Sequence, residues 1–243
     1  MFKHYKTTIY NYSTNGLNAN LACGANHIET LQNYMESNEE FDIGFAFDGD
    51  ADRMQVVLKG GQILSGEEVI YFLSKYYKNQ KIVVSKMTNF GLYDLLSKEG
   101  IKCVTCGIGE KNVMNTLLEN NLHLGCENNG HYTLLDKTPT SDGILSAIKI
   151  LSIFATRGNL NCKYKPYYQI TKNIKVKDKN FVMKSSLLRN CLDVCESLIS
   201  DMGRILVRAS GTENLIRILV EGKNKKMVDE IMEEISKTIK KLI

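Results

Sequence analysis

The sequence predicts an α/β fold that ends in a smaller α+β unit, on three observations. Between residues 66 and 165, short apolar and β-branched runs alternate with segments of helical period, the pattern of a parallel α/β layer. From residue 166 to 243 the rhythm changes, and two strands flank a Gly-containing loop before a closing helix. Ahead of both blocks, the apolar run Ile43–Phe47 reads as a buried strand and leads directly into Asp48-Gly49-Asp50-Ala51-Asp52-Arg53. A chain of 243 residues, 43% apolar and 24% charged, allows one large domain or two to three small ones. The divisions this suggests are 1–65, 66–165 and 166–243, with Pro166 near the last junction.

Taken in order, Thr7-Thr8-Ile9-Tyr10 looks like a strand, although almost nothing precedes it that could pair with it, and Asn15-Gly16 marks a turn. Residues 28–35 carry a short helical pattern. After the Phe45 strand and the aspartate loop, residues 54–58 and 62–64 around Gly60-Gly61 read as a β-hairpin. Residues 67–78 form an amphipathic helix with Val69, Ile70, Phe72 and Leu73 apolar. Strands at 82–84, 102–106 and 122–126 then alternate with helices at 91–99 and 111–120. A strand at 132–135 precedes a long helix over 142–157. In the last block, 168–176 is a strand, 181–198 mostly a helix, 204–207 and 215–220 strands, and 227–242 a closing helix.

Composition excludes several classes. The net charge is +4, and basic residues concentrate only at residues 223–226 and 237–241, where helical spacing makes them a solvated face. They are joined to no nucleic-acid motif, so no nucleic-acid partner is expected. Seven cysteines at irregular spacing suggest no disulfide framework. Cys103-Val-Thr-Cys106 lacks a second pair to complete a zinc site and reads as two small strand residues. The first six residues lack the apolar core of a signal peptide, and no apolar stretch approaches the ~20 residues of a membrane span. A reducing cytoplasm without membrane partners is the expected setting.

Three polar constellations carry chemistry. In an extended segment Asp48, Asp50 and Asp52, at i, i+2 and i+4, send their carboxylates to one side, where their mutual repulsion calls for a cation. All-oxygen ligation suits a hard ion, magnesium before zinc. A calcium EF-hand loop also begins D-x-D-x-D but needs Gly at its sixth position and Glu at its twelfth; Arg53 and Lys59 stand there. The second constellation is Cys126-Glu127-Asn128-Asn129-Gly130-His131, at a strand end, which reads either as a polar turn with a hydrogen-bonded structural His131 or as a site for sugar hydroxyls. The third is Arg208-Ala209-Ser210-Gly211-Thr212-Glu213-Asn214 with Arg217. It is either a polar hairpin turn or a cradle for phosphate.

Together these runs resemble the α-D-phosphohexomutases, enzymes that move a phosphate between C1 and C6 of a hexose. Asp-Gly-Asp-Ala-Asp-Arg is that family's metal-loop signature, Glu127-Asn128-Asn129-Gly130-His131 resembles its sugar loop Glu-x-Ser-Gly-His, and Arg208-Ala209-Ser210-Gly211-Thr212-Glu213 resembles its phosphate loop Arg-x-Ser-Gly-Thr-Glu-Pro. Weaker matches are Gly16-Leu17-Asn18-Ala19-Asn20 with Cys23-Gly24-Ala25, and Thr88-Asn89-Phe90-Gly91. Asp136-Lys137-Thr138-Pro139-Thr140-Ser141-Asp142-Gly143 after the sugar loop is similar to the family's glucosamine phosphate branch. Gly109-Glu110-Lys111 stands where that branch has Gly-Asp-Arg, and Lys cannot supply arginine's bidentate contact. Asn129 replaces the sugar-loop Ser, and Asn214 the phosphate-loop Pro.

The resemblance implies Mg²⁺ held by Asp48, Asp50 and Asp52, and catalytic roles for Arg53 and Lys111. It further implies that Glu127, Asn129, His131, Arg208, Ser210, Gly211, Thr212 and Arg217 bind a hexosamine phosphate. The reaction implied is interconversion of glucosamine 6-phosphate and 1-phosphate through a bisphosphate. In fold, residues 1–65 correspond to part of the family's domain 2 with the metal loop, 66–165 to its α/β domain 3, and 166–243 to its α+β domain 4. The family's nucleophile is a phosphoserine in a Ser-His-Asn-Pro-like loop, and this sequence contains no Ser-His pair. The expectation is a truncated chain inactive alone. The alternatives are a separately encoded N-terminal half that completes it, with glucose or mannose phosphate specificity open, and a non-catalytic sugar-phosphate-binding protein.

Overall fold

The structure, a computed structural model, describes residues 5–10, 15–77 and 81–243. The described residues of Met1–Thr88 and Leu96–Cys162 form one compact unit, and those of Asn89–Leu95 and Lys163–Ile243 a second.

The first unit contains two sheets. In one, β1 (Ile43–Phe47), β2 (Met54–Leu58) and β3 (Gln62–Leu64) run antiparallel with β2 in the middle. The β2–β3 turn places Gly60 at φ 75° and Gly61 at φ 81°, a region that favours glycine. Helix α1 (Ile28–Ser37) lies against β1 closely enough that a Cβ on Gly44 would stand 3.2 Å from the Met35 sulfur.

The other sheet holds β4 (Ile82–Ser85), β5 (Cys103–Cys106), β6 (Leu124–Cys126) and β7 (Tyr132–Leu134) in the order β5-β4-β6-β7. Strands β5 and β6 pair parallel to β4, which is buried along its whole length. Parallel pairing needs crossovers: α4 (Glu110–Asn120) lies in the one from β5 to β6, and α3 (Phe90–Lys98), whose residues 90–95 count with the second unit, in the one from β4 to β5. Only Glu127–His131 separates β6 from β7, too short for a crossover, so β7 returns antiparallel. Helix α2 (Gly66–Tyr76) opens with a capping box between Ser65 and Glu68. Helix α5 (Gly143–Arg157) is capped by Asp142, whose carboxylate accepts from Leu145 N–H at 2.8 Å.

In the second unit, β8 (Tyr168–Lys175), β9 (Gly203–Ala209) and β10 (Leu215–Gly222) form an antiparallel sheet of order β8-β10-β9. With them are α6 (Lys179–Lys184), α7 (Ser186–Ile199) and α8 (Lys225–Lys240). Alternate residues Ile216, Ile218 and Val220 of β10 enter one core with Leu188, Cys195 and Ile199 of α7 and Val228, Ile231, Ile235 and Ile239 of α8. Asn89 is joined to this unit by four hydrogen bonds. Its amide nitrogen donates to Tyr167 O (3.1 Å) and Glu221 Oε2 (3.0 Å), and its oxygen accepts from the N–H groups of Gly91 and Tyr167 (both 2.9 Å). Glu221 is fully buried, accepts also from Phe90 N–H, and pairs with Arg204 at 2.6 Å.

The element pattern follows the sequence reading with two corrections. Residues 7–10 are exposed and form no strand, since no described strand offers their backbone a ladder. The helix expected over 181–198 is two helices, α6 and α7, broken at Ser185 in an extended conformation (φ −64°, ψ 130°). A continuous helix would turn Val182 and Leu188 about 120° apart. The break lets both stay buried in the same core. The helix expected over 67–78 ends at Tyr76, and its residue 78 lies outside the described residues.

Candidate functional site

The aspartate loop joins β1 to β2. A tight turn forms it, with Ala51 at φ 58° donating its N–H to Asp48 O at 3.1 Å. One carboxylate oxygen from each of Asp48, Asp50 and Asp52 can be chosen so that all three lie within 4.8 Å of one another. Arg53 folds back on the loop: its Nε donates to Asp48 Oδ2 at 2.5 Å, its backbone N–H to Asp48 Oδ1 at 3.1 Å, and its Nη1 to Asn26 Oδ1 at 2.7 Å.

The carboxylates differ in character. Burial opposes ionisation of Asp48, but the hydrogen bonds from Arg53 outweigh it and hold its pKa below the ordinary value. Asp52 is pushed up by burial, and the neighbouring Asp48 adds to the shift while His131 opposes it. Asp52 Oδ1 is buried without a hydrogen-bond partner, and Arg53 Nε stands 3.8 Å away. A cluster of oxygen donors with one buried oxygen unsatisfied fits a hard divalent cation.

The loop between β6 and β7 faces these aspartates. Met54 N–H donates to Gly130 O (3.1 Å), and Arg53 and His131 form a backbone bridge. His131 Nε2 lies 3.1 Å from Asp52 Oδ2, its Nδ1 3.2 Å from Asn129 Oδ1 and 3.7 Å from Glu127 Oε2. The structure therefore brings Asp48, Asp50, Asp52, Arg53, Glu127, Asn129 and His131 together. Asn129 is exposed, whereas Glu127 is buried and accepts from Gly109 N–H at 2.8 Å. Lys111 is exposed in the first turn of α4, two residues beyond that donor.

Several supports were not read from sequence as site residues. Buried Glu67, in the first turn of α2, accepts from Asn128 Nδ2 at 2.9 Å. Glu110 accepts from Ser141 N–H (2.9 Å) and Thr140 Oγ1 (3.1 Å), and the first of these bonds chiefly holds its pKa down. At the start of α5, Gly143 N–H donates to Ala51 O at 2.9 Å, and a Cβ there would stand 2.7 Å from Arg53 O. The N-cap Asp142 was the available signal: a cap followed by Gly marks a helix start that backbone can approach closely. Cys103 and Cys106 stand on β5, with thiols pushed up by burial to about 12 and about 11, and the aspartate cluster includes neither.

In the second unit, residues 208–217 form the β9–β10 hairpin. Ser210 is buried, its N–H donates to Leu215 O at 2.9 Å, and its hydroxyl accepts from Glu213 N–H at 3.4 Å. Gly211 and Thr212 are exposed at the tip. Arg208 and Arg217 are exposed and directly opposite each other across the strands. Like charges in that register repel, so the pair favours an anion beside it. Lys179, which the sequence reading passed over, reaches this loop and donates to Ser210 O (2.7 Å) and Glu213 O (3.3 Å).

Two family models match along the chain: phosphoglucomutase/phosphomannomutase alpha/beta/alpha domain III over residues 65–172, and the C-terminal domain of the same family over 172–238. The chain belongs to the phosphoglucomutase/phosphomannomutase family. Among relatives, a phosphoglucosamine mutase from Desulforamulus reducens is 36% identical over 234 residues, covering 92% of this chain and 52% of that protein. A family structure from Burkholderia thailandensis superposes with a TM-score of 0.71 at 20% identity, over 89% of this chain and 50% of the other. Aspergillus fumigatus N-acetylphosphoglucosamine mutase, solved with GlcNAc-6P and magnesium, gives 0.69 at 17% identity, over 90% and 57%. These likenesses show the phosphohexomutase fold, with domains III and IV of the family present. The chain spans about half the length of the curated relatives it matches. No helix among the described residues is long and apolar enough to cross a membrane.

Proposed function

We propose that this phosphohexomutase chain acts in the interconversion of glucosamine 6-phosphate and glucosamine 1-phosphate, and that residues 1–65 correspond to part of the family's domain 2. The observation that carries the reading is the backbone-linked pair of loops in the first unit. Three aspartates with one unsatisfied oxygen stand against Glu127, Asn129 and His131. Kinship with phosphoglucosamine mutases supports glucosamine phosphate as the sugar.

Asp48, Asp50 and Asp52 hold Mg²⁺ in this reading, which when bound supplies Lewis-acid polarisation of a phosphoryl oxygen. Arg53 balances the carboxylates and offers a guanidinium to phosphate oxygens. Glu127, anchored by Gly109 N–H, presents an acceptor to sugar hydroxyls, and Asn129 both donates and accepts. Arg208, Ser210, Gly211, Thr212 and Arg217 take the phosphate that does not react. Lys111 adds a second cation for phosphate. None of the 243 residues forms a Ser-His pair, so the phosphoryl donor lies outside them.

The test is calorimetry of the purified chain with glucosamine 6-phosphate and Mg²⁺, beside a turnover assay with and without an added segment carrying a phosphorylated Ser-His-Asn-Pro loop. Expected are Mg²⁺-assisted binding by the chain, no turnover alone, and turnover once the segment is supplied. Tighter binding of glucose or mannose phosphate would overturn the sugar assignment. Absence of any sugar-phosphate binding would overturn the whole reading.

A further inference from the structure

We infer that Lys179 is the positioning residue of the hairpin 208–217, and that it turns the backbone N–H groups of Gly211 and Asn214 outward as donors to a bound phosphate. The inference rests on the reading of that hairpin as a phosphate cradle. Its own ground is a contact that the sequence resemblance does not contain. Lys179 Nζ donates to Ser210 O at 2.7 Å and to Glu213 O at 3.3 Å, across separations of 31 and 34 residues.

A trans peptide points its C=O and the following N–H in opposite directions. No described peptide bond in the chain is cis. Drawing the Ser210 and Glu213 carbonyls toward one ammonium therefore directs the N–H groups of Gly211 and Asn214 away from it. One side chain thus sets two of the peptide planes at the tip. The ammonium also cancels the carbonyls' negative ends, which would otherwise weaken an anion site.

The needs of α6 do not explain a lysine here. Lys179 occupies its first turn, where the helix dipole disfavours a cation. The preceding Asp178 already caps this helix through Asn180 and Phe181 N–H (2.8 and 3.1 Å). Lys179 is half-buried, whereas the neighbouring Lys177 is exposed. The remainder of the tip is held by the Ser210 hydroxyl and by Val176 N–H donating to Asn214 O at 3.0 Å.

The test uses the full chain with Lys179→Met, Lys179→Gln, Lys179→Arg and, as a charge control, Lys177→Met. Inorganic phosphate and glucosamine 6-phosphate are titrated calorimetrically, and amide exchange is followed at residues 210–214 without ligand. Lys179→Met is expected to weaken both ligands about tenfold and to speed exchange at the tip. Lys179→Arg, which keeps two donors, should recover most of the loss, and Lys177→Met should change affinity by less than about twofold. If Lys179→Met does not fold, Lys179→Gln, limited to fewer bonds, decides by the same measures. Unaltered affinity in folded Lys179→Met, or in Lys179→Gln where Lys179→Met does not fold, overturns the inference and leaves the functional reading standing. A wild-type chain that binds neither ligand overturns that reading. Tip exchange unchanged by Lys179→Met would then overturn the positioning role as well.

Discussion

Asp52 is the residue at which the aspartate loop is least comfortable with its own charge. Its pKa is raised by burial and by Asp48, so at neutral pH its ionised form costs the folded state free energy. Asp52→Asn should therefore leave the metal-free protein as stable or raise its melting temperature slightly, while abolishing the stabilisation expected when Mg²⁺ is added to the wild type. Thermal melts with and without Mg²⁺ check both halves; loss of stability in the metal-free variant would count against the electrostatic account. Glu110 works in the opposite sense. Its folded pKa is lowered, first by the Ser141 backbone bond, so its stabilisation is complete above the ordinary glutamate value of 4.5 and is lost as pH falls through the depressed one. Glu110→Gln should lower the melting temperature at pH 7 and lose less on acidification toward pH 3 than wild type does. A melting series over that window reads the difference in slope.

At the scale of elements, the close packing of the aspartate loop on the start of α5 is the critical junction. Ala51 O accepts from Gly143 N–H, and a Cβ at 143 would press on Arg53 O at 2.7 Å and Ala51 O at 2.9 Å. Gly143→Ala should cost about 1–3 kcal/mol of stability and weaken Mg²⁺ binding, because relief of the clash moves the loop. Denaturant melts and a Mg²⁺ titration measure the two effects, and a normal Mg²⁺ affinity would show the loop to be independent of α5. The same junction explains why the two polar loops were legible as separate motifs but not as one surface. Each is a local run of sequence, whereas their joining depends on β7 returning antiparallel and on helix α5 starting beneath the aspartates.

At the scale of the whole chain, the second unit is not one continuous segment. Residues 89–95 belong with 163–243, and buried Glu221 receives Asn89 and Phe90 along with Arg204. Asn89→Ala removes a donor from a buried carboxylate and the partners of Tyr167 N–H and O, which should cost about 2–4 kcal/mol. Chemical denaturation followed by a probe in the second unit checks this; a change under about 0.5 kcal/mol would mean that water replaces Asn89 there. The divisions 1–65, 66–165 and 166–243 read from sequence could not include this insertion. The run Thr88-Asn89-Phe90-Gly91 gives no local sign that its amide is satisfied 78 and 132 residues away.

The sequence by itself determined the alternation of strands and helices, the three polar loops and the residue types that suit metal, sugar hydroxyl and phosphate. Those features are written in local periodicity and in the chemistry of neighbouring side chains, which survive without knowledge of the fold. Only the tertiary structure decided that residues 7–10 form no strand, that the helix after Asp178 breaks at Ser185, and that Asp52 keeps a buried oxygen without a partner. It also decided which groups brace the loops: Glu67 and Gly109 for the loop 127–131, Glu110 for the segment before α5, and Lys179 for the hairpin. Such groups are far from their targets in sequence, and a lone Glu or Lys in a helix's first turn looks like any solvated charge until packing aims it at a partner.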